Sequence, residues 1–150
     1  MNNQTSGRPI EILLVDDNPG DVRLTTEALK DSNVQKRLHT AKDGIEAIAF
    51  LRRKGEYADA PRPDLILLDL NMPRMDGAQV LEEIKKDPAL QHIPVVMLTG
   101  SQEIEDIIKT YDLHANCYVI KPMDLEQFIM MMKSITNFWL NTLKLPMEEK

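Results

Sequence analysis

The sequence predicts an α/β protein: an open, doubly wound sheet of parallel strands with helices on both faces. Three observations predict it. Short apolar runs alternate five times with helix-length segments along the chain. Three of the four strongest runs are apolar at successive positions, as strands covered on both faces must be. The length, 150 residues, suffices for one sizeable core and is too short for two.

The first strand is read at residues 12–15 (ILLV). Asn18 then offers an N-cap and Pro19 suits the first helical position, where its missing N–H costs nothing, so a helix runs to about Asp31. A weaker strand at residues 37–41 precedes the turn pair Asp43-Gly44. Ile45, Ile48, Ala49 and Leu51 mark the second helix, ending near Gly55. The third strand is residues 65–68. The third helix, residues 78–86, follows Asp76-Gly77 and stops at Asp87-Pro88. Residues 93–98 form the fourth strand, and Ile104, Ile107 and Ile108 place a helix at residues 103–111. The fifth strand is residues 118–120, and Asp124 caps a last helix that reaches about Leu143, before Pro146. One domain, residues 10–143, is thus expected between a flexible N-terminal tail, residues 1–9, and a C-terminal tail, residues 144–150.

Composition narrows the function. Eighteen Lys and Arg face 24 Asp and Glu, and the net charge of −6 argues against a non-specific grip on nucleic acid or an anionic membrane. The single cysteine, Cys117, excludes an intramolecular disulfide framework and reads as a small packed residue. The first nine residues lack a signal-peptide core, and no apolar run approaches the ~20 residues of a membrane span, so a cytoplasmic protein is expected. His39, His92 and His114 show no metal-ligand spacing.

Ligands of such sheets sit at the carboxyl ends of the strands, where the chain order switches sides. There the sequence places Asp16 and Asp17 after the first strand, Asp69 after the third, Thr99 after the fourth and Lys121 after the fifth. Three converging carboxylates repel one another unless a cation sits between them. Hard oxygen ligands without His or Cys select Mg²⁺ over zinc, and such an ion leaves room for a phosphate oxygen. Lys121 and the Thr99 hydroxyl would meet that same phosphate. This is the equipment of phosphoryl transfer, which works by positioning and charge neutralisation.

Residues 67–77, Leu-Leu-Asp-Leu-Asn-Met-Pro-Arg-Met-Asp-Gly, with Val15-Asp16-Asp17, Thr99-Gly100 and Lys121-Pro122, resemble the receiver domain of bacterial two-component response regulators. The resemblance covers roughly Glu11 to Leu143. It implies the strand order 2-1-3-4-5 of the flavodoxin-like receiver fold, and Asp69 as the acceptor of a phosphoryl group from a sensor kinase's phosphohistidine. Asp17, Asp69 and the backbone carbonyl of Asn71 match Mg²⁺ ligands, with Asp16 holding a metal-bound water; Mn²⁺ or Ca²⁺ would substitute. Lys121 would pair with Asp69 or its phosphoryl oxygens, aimed by a cis bond before Pro122. Thr99 and Tyr118 match the two residues whose paired movement switches the surface of the fourth helix, fifth strand and fifth helix. Asn71 and Ser101 match the positions that tune hydrolysis of the acyl phosphate.

Residues 137–146, residues 44–51 and the polar loop at residues 55–64 are similar to small single-domain response regulators that partner phytochrome-type sensor histidine kinases. That resemblance implies such a kinase as partner and an output through another protein, with no direct DNA binding and no processing of a separate substrate. In the last helix, Leu125, Phe128, Ile129, Met132, Ile135 and Trp139 form one stripe at about 100° per residue. Met131 and Phe138 fall off it and Met130 nearly opposite, which predicts an interface and a homodimer. Three rivals are weaker. A haloacid-dehalogenase-like phosphatase wants a second aspartate where Asn71 stands. A flavodoxin-like binder would find its phosphate repelled by Asp16-Asp17. A pseudo-receiver scaffold should have lost one of the acidic, Thr or Lys positions, and none is lost.

Overall fold

The computed structural model describes residues 9–30, 35–70, 72, 74–99, 117–121 and 124–142. Five strands, β1 (Ile10–Val15), β2 (Lys36–Ala41), β3 (Leu65–Asp69), β4 (Val95–Thr99) and β5 (Cys117–Ile120), form one parallel sheet in the order β2-β1-β3-β4-β5. Around it lie α1 (Pro19–Leu29), α2 (Gly44–Leu51), α3 (Gly77–Lys86) and the last helix (Leu125–Thr142). The helix expected at residues 103–111 and, apart from Pro9, both expected tails lie outside the described residues.

Strand ends differ from expectation by a residue or two, for identifiable reasons. β1 begins earlier because Glu11, polar in the sequence, is buried inside it. β4 begins later because Pro94 has no N–H for the ladder; its carbonyl still accepts from Ile66 N at 3.0 Å.

The helices start where side chains take up free backbone N–H groups, each cap contributing about 1 kcal/mol. Asn18 accepts from Gly20 N at 2.8 Å and Asp21 N at 3.1 Å; Asp124 accepts from Glu126 N and Gln127 N. The two Asp-Gly pairs serve the same purpose. Asp43 accepts from Glu46 N at 2.8 Å, and Asp76 forms a reciprocal capping box with Gln79. α2 ends short of Gly55 because Arg53 takes a left-handed conformation (φ 57°), letting Lys54 N donate to Ala49 O and Arg53 N to Phe50 O.

Alternate strand residues feed two buried layers. Leu13, Val15, Ile66, Leu68, Val95 and Met97 pack with α2 and α3. Ile12, Leu14, Leu65, Leu67, Val96 and Leu98 pack with α1 and the last helix. Sheet burial on both faces explains the unbroken apolar runs.

The last helix corrects the expected stripe. Phe128 and Met132 are buried, and Ile135 and Trp139 pack against their layer, but so does Met131, whereas Leu125 is 56% exposed. The buried line runs i, i+3, i+4, i+7, i+11 from Phe128, because the helix packs against α1 as well as the sheet and is rotated towards Met131. Met131, expected off the stripe, is half-buried against this layer. Phe138 and Met130 stay exposed, at 61% and 66%.

Candidate functional site

The chain order switches sides between β1 and β3, and the register Val15↔Leu68 brings Asp16 and Asp69 out side by side at the carboxyl edge. Ligand oxygens of Asp16, Asp17 and Asp69 lie within 4.8 Å of one another. Asp16 and Asp69 are buried and Asp17 is exposed. Asp16 Oδ1 accepts from Asn18 N at 2.9 Å, so the turn that caps α1 also aims this carboxylate. Burial pushes the Asp16 carboxyl above the usual carboxylate range. The Asn18 N–H and the Lys121 charge pull it down by less than burial raises it.

Lys121, directly after β5, supplies the positive charge. Its Nζ donates to Asp21 Oδ2 at 2.7 Å and Asp16 Oδ2 at 3.2 Å, and stands 3.7 Å from Asp69 Oδ1. The expected partner Asp69 is thus an ion-pair neighbour, while the hydrogen bonds go elsewhere. Burial alone would lower the ammonium's pKa; the Asp21 hydrogen bond and the charges of Asp69, Asp16 and Asp21 outweigh it and raise it. Asp21 was not singled out in the sequence, where an acid in a helix's first turn reads as a dipole partner. Its signal was position: Asp21 lies in the first turn of the helix that Asn18 caps, just after the Asp16-Asp17 strand end.

The backbone beside Asp69 is held by close packing. Gly77 N donates to Leu70 O at 2.8 Å, and a Cβ on Gly77 would strike the Asp69 carbonyl oxygen and Leu70 Cα. Gly44 faces Met75 O as closely. Arg74, itself left-handed (φ 68°), donates from Nε at 3.1 Å and Nη2 at 2.5 Å to Asp43 Oδ2. Burial would raise the Asp43 carboxyl, but the Glu46 N–H and Arg74 outweigh it and hold it below the usual range. These contacts tie the loop after Asp69 to the start of α2.

Thr99 ends β4 paired with Ile120, one residue before Lys121, and Tyr118 pairs with Met97. The side chains of Thr99, Tyr118 and Cys117 are not among the described atoms. Asn71, Ser101 and Pro122, with the cis bond expected before it, lie outside the described residues. A solvent-open cleft of about 380 Å³, bordered by Pro19, Val22, Lys42 and Glu46, reaches Asp16 and Asp17. No helix among the described residues is long and apolar enough to cross a membrane.

The sequence model of the response regulator receiver domain matches residues 12–133. The chain belongs to the response regulator receiver family. The response regulator Rcp1 of Synechocystis sp. is 49% identical to this receiver over 141 residues, 94% of this chain and 96% of Rcp1. The crystal structure of the phosphorylated cyanobacterial phytochrome response regulator RcpA superposes with a TM-score of 0.89 at 52% identity, covering 93% of this receiver and 99% of RcpA. The crystal structure of the Mn²⁺-bound form of Rcp1 gives 0.89 at 49% identity, covering 92% and 99%. Both the receiver fold and its strand order are as the sequence predicts.

The donor set fits a hard divalent cation. It is all oxygen, and it includes the buried Asp16 carboxylate, whose charged form burial disfavours, with open space beside Asp16 and Asp17.

Proposed function

We propose that this receiver accepts a phosphoryl group on Asp69 from the phosphohistidine of a sensor histidine kinase of phytochrome type, acting as a switch in a two-component relay. The observation that carries the reading is the convergence of Asp16, Asp17 and Asp69 within 4.8 Å of one another beside the half-buried Lys121. The likeness to RcpA, a cyanobacterial phytochrome response regulator by name, and to the response regulator Rcp1 supports the choice of partner.

An Asp69 carboxylate oxygen attacks phosphorus, the P–N bond to the kinase's imidazole breaks, and the imidazole leaves with a proton. The product is an acyl phosphate. Asp17, Asp69 and the Asn71 carbonyl would hold a Mg²⁺ ion, Asp16 a water upon it; Mn²⁺ and Ca²⁺ share the oxygen preference. When bound, the ion supplies the positive charge that lets an anionic donor approach anionic Asp69. Lys121 and the Thr99 hydroxyl take the phosphoryl oxygens, and Thr99 with Tyr118 passes the change towards β5 and the last helix. Asn71 and Ser101 set the rate of hydrolysis. The chemistry is confined to the receiver's own aspartate, with no separate substrate.

Output runs through protein contacts in the cytoplasm, without direct DNA binding, and through a homodimer on the last helix. Exposed Met130 and Phe138 support that surface.

The test is phosphotransfer. Labelled, phosphorylated phytochrome-type kinase mixed with the receiver and Mg²⁺ should lose its label to the receiver within the mixing experiment and keep it with Asp69→Asn. Retention of label in the presence of folded wild-type receiver overturns the reading.

A further inference from the structure

To stabilise a phosphoryl group on Asp69, Lys121 must bring its ammonium to that group's oxygens. In the structure its shortest hydrogen bond, 2.7 Å, goes to Asp21, and Asp69 is its most distant acidic partner at 3.7 Å. We infer that Asp21 is a positioning residue: it holds the Lys121 ammonium off Asp69 in the unphosphorylated receiver and exchanges it for a phosphoryl oxygen in the phosphorylated one. This rests on Asp69 as phosphoacceptor.

Three features make Asp21 the partner that lets go. An ammonium has three donors. The Lys121 side chain is only 13% exposed, so it must trade one protein partner for another and cannot simply turn to water. Its two hydrogen-bonded carboxylates differ in exposure: Asp16 is 2% exposed at the side chain and Asp21 26%. A buried carboxylate left alone costs far more than one that water can reach, so Asp16 is the fixed anchor and Asp21 the exchangeable one. Asp21 also sits in the first turn of α1, where the helix dipole steadies its charge once the ammonium has gone.

The hold opposes phosphorylation. The stronger the Asp21 bond, the more the phosphorylated state must offset to recruit Lys121, and the less of Asp69's negative charge is cancelled beforehand. Asp21 thereby tunes the switch equilibrium without touching the reacting atoms.

Beryllofluoride, a stable mimic of the phosphoryl group, tests this by titration at saturating Mg²⁺ followed by ¹⁹F NMR. Asp21→Asn and Asp21→Ala should bind it about three- to tenfold tighter than wild type, a charge-assisted hydrogen bond discounted for partial exposure. Asp21→Glu, which keeps a carboxylate within reach, should return to near wild type. Glu46→Gln removes a negative charge beside the same cleft without touching Lys121 and should change affinity less than twofold. Unchanged or weaker binding by Asp21→Asn and Asp21→Ala overturns the inference, as does equal tightening by Glu46→Gln, which would mark a general field effect. Wild type that binds no beryllofluoride at all overturns the phosphoacceptor reading itself, and with it this one.

Discussion

Near the amino-terminal edge of the sheet Glu11 is buried, with its carboxylate 2.7 Å from His39 Nε2 and 3.4 Å from Arg37 Nη1. Asp64 ties that edge to β1 by accepting the Glu11 N–H at 2.8 Å and donating its own to Glu11 O. At the carboxyl edge Asp16 and Asp69 are equally buried, with Asp17 and Asp21 beside them, and among the described residues Lys121 is the cation bridging Asp16, Asp21 and Asp69. Among the described residues, the amino edge sets one buried carboxylate against two basic side chains, and the carboxyl edge sets four carboxylates around one ammonium. A fold selected for stability alone has no reason to gather several carboxylates around one ammonium. The carboxyl edge therefore carries the binding function, and the amino edge is architecture.

The largest expected effect breaks the carboxyl edge mechanically. Gly77→Ala sets a methyl against the Asp69 and Leu70 backbone, which cannot rotate away as a side chain would. A loss of about 3 kcal/mol in urea denaturation is expected, at the upper end for overpacking, with weakened divalent-cation binding.

A pair of neutralising substitutions sharpens the contrast. Glu11→Gln removes a charge that has partners, and should cost about 2 kcal/mol. Asp16→Asn removes a charge that burial disfavours, and should raise metal-free stability by roughly 1 kcal/mol. Because the folded pKa of Asp16 is raised, that gain should shrink as pH falls and the wild-type carboxyl protonates. Asp16→Asn should also diminish the stabilisation that Mg²⁺ confers, about 2.7 kcal/mol at 100 times its Kd in wild type. Denaturation with and without Mg²⁺, repeated at falling pH, checks all four statements; equal signs for the two substitutions would erase the distinction between the edges.

The smallest effect concerns the strap over the carboxyl edge. Asp43→Asn keeps the cap of α2 but loses the Arg74 ion pair, whose arginine is 59% exposed, so less than about 1 kcal/mol is expected at neutral pH. The Asp43 carboxyl is held below its unfolded value, so its contribution is present above the ordinary carboxylate pKa and lost as pH falls through the folded one. Wild type and Asp43→Asn should therefore converge in acid.

Most of the fold was legible because strands buried on both faces leave continuous apolar runs, and because Asn18 and Asp124 punctuate helices by chemistry that acts within a few residues. The cluster was legible for a related reason: strand ends are points on a line, and Asp16, Asp17, Asp69 and Lys121 occupy them. What escaped depends on distances that only the folded chain sets. Asp21 and Lys121 are 100 residues apart in sequence. The exchange of Leu125 for Met131 in the core follows from how α1 rotates the last helix, a docking angle that helical periodicity alone does not contain. In the sequence Gly77 is only half of an Asp-Gly pair before a helix, because the backbone it must approach belongs to a different element.

The most direct test of the central claim is the intact mass of the receiver after incubation with acetyl phosphate, a donor that needs no kinase. Wild type with Mg²⁺ should gain one phosphoryl group, while wild type with chelator and Asp69→Asn with Mg²⁺ should gain none. A folded, Mg²⁺-loaded wild type that stays unmodified, or an Asp69→Asn variant labelled as fully as wild type, would contradict the account.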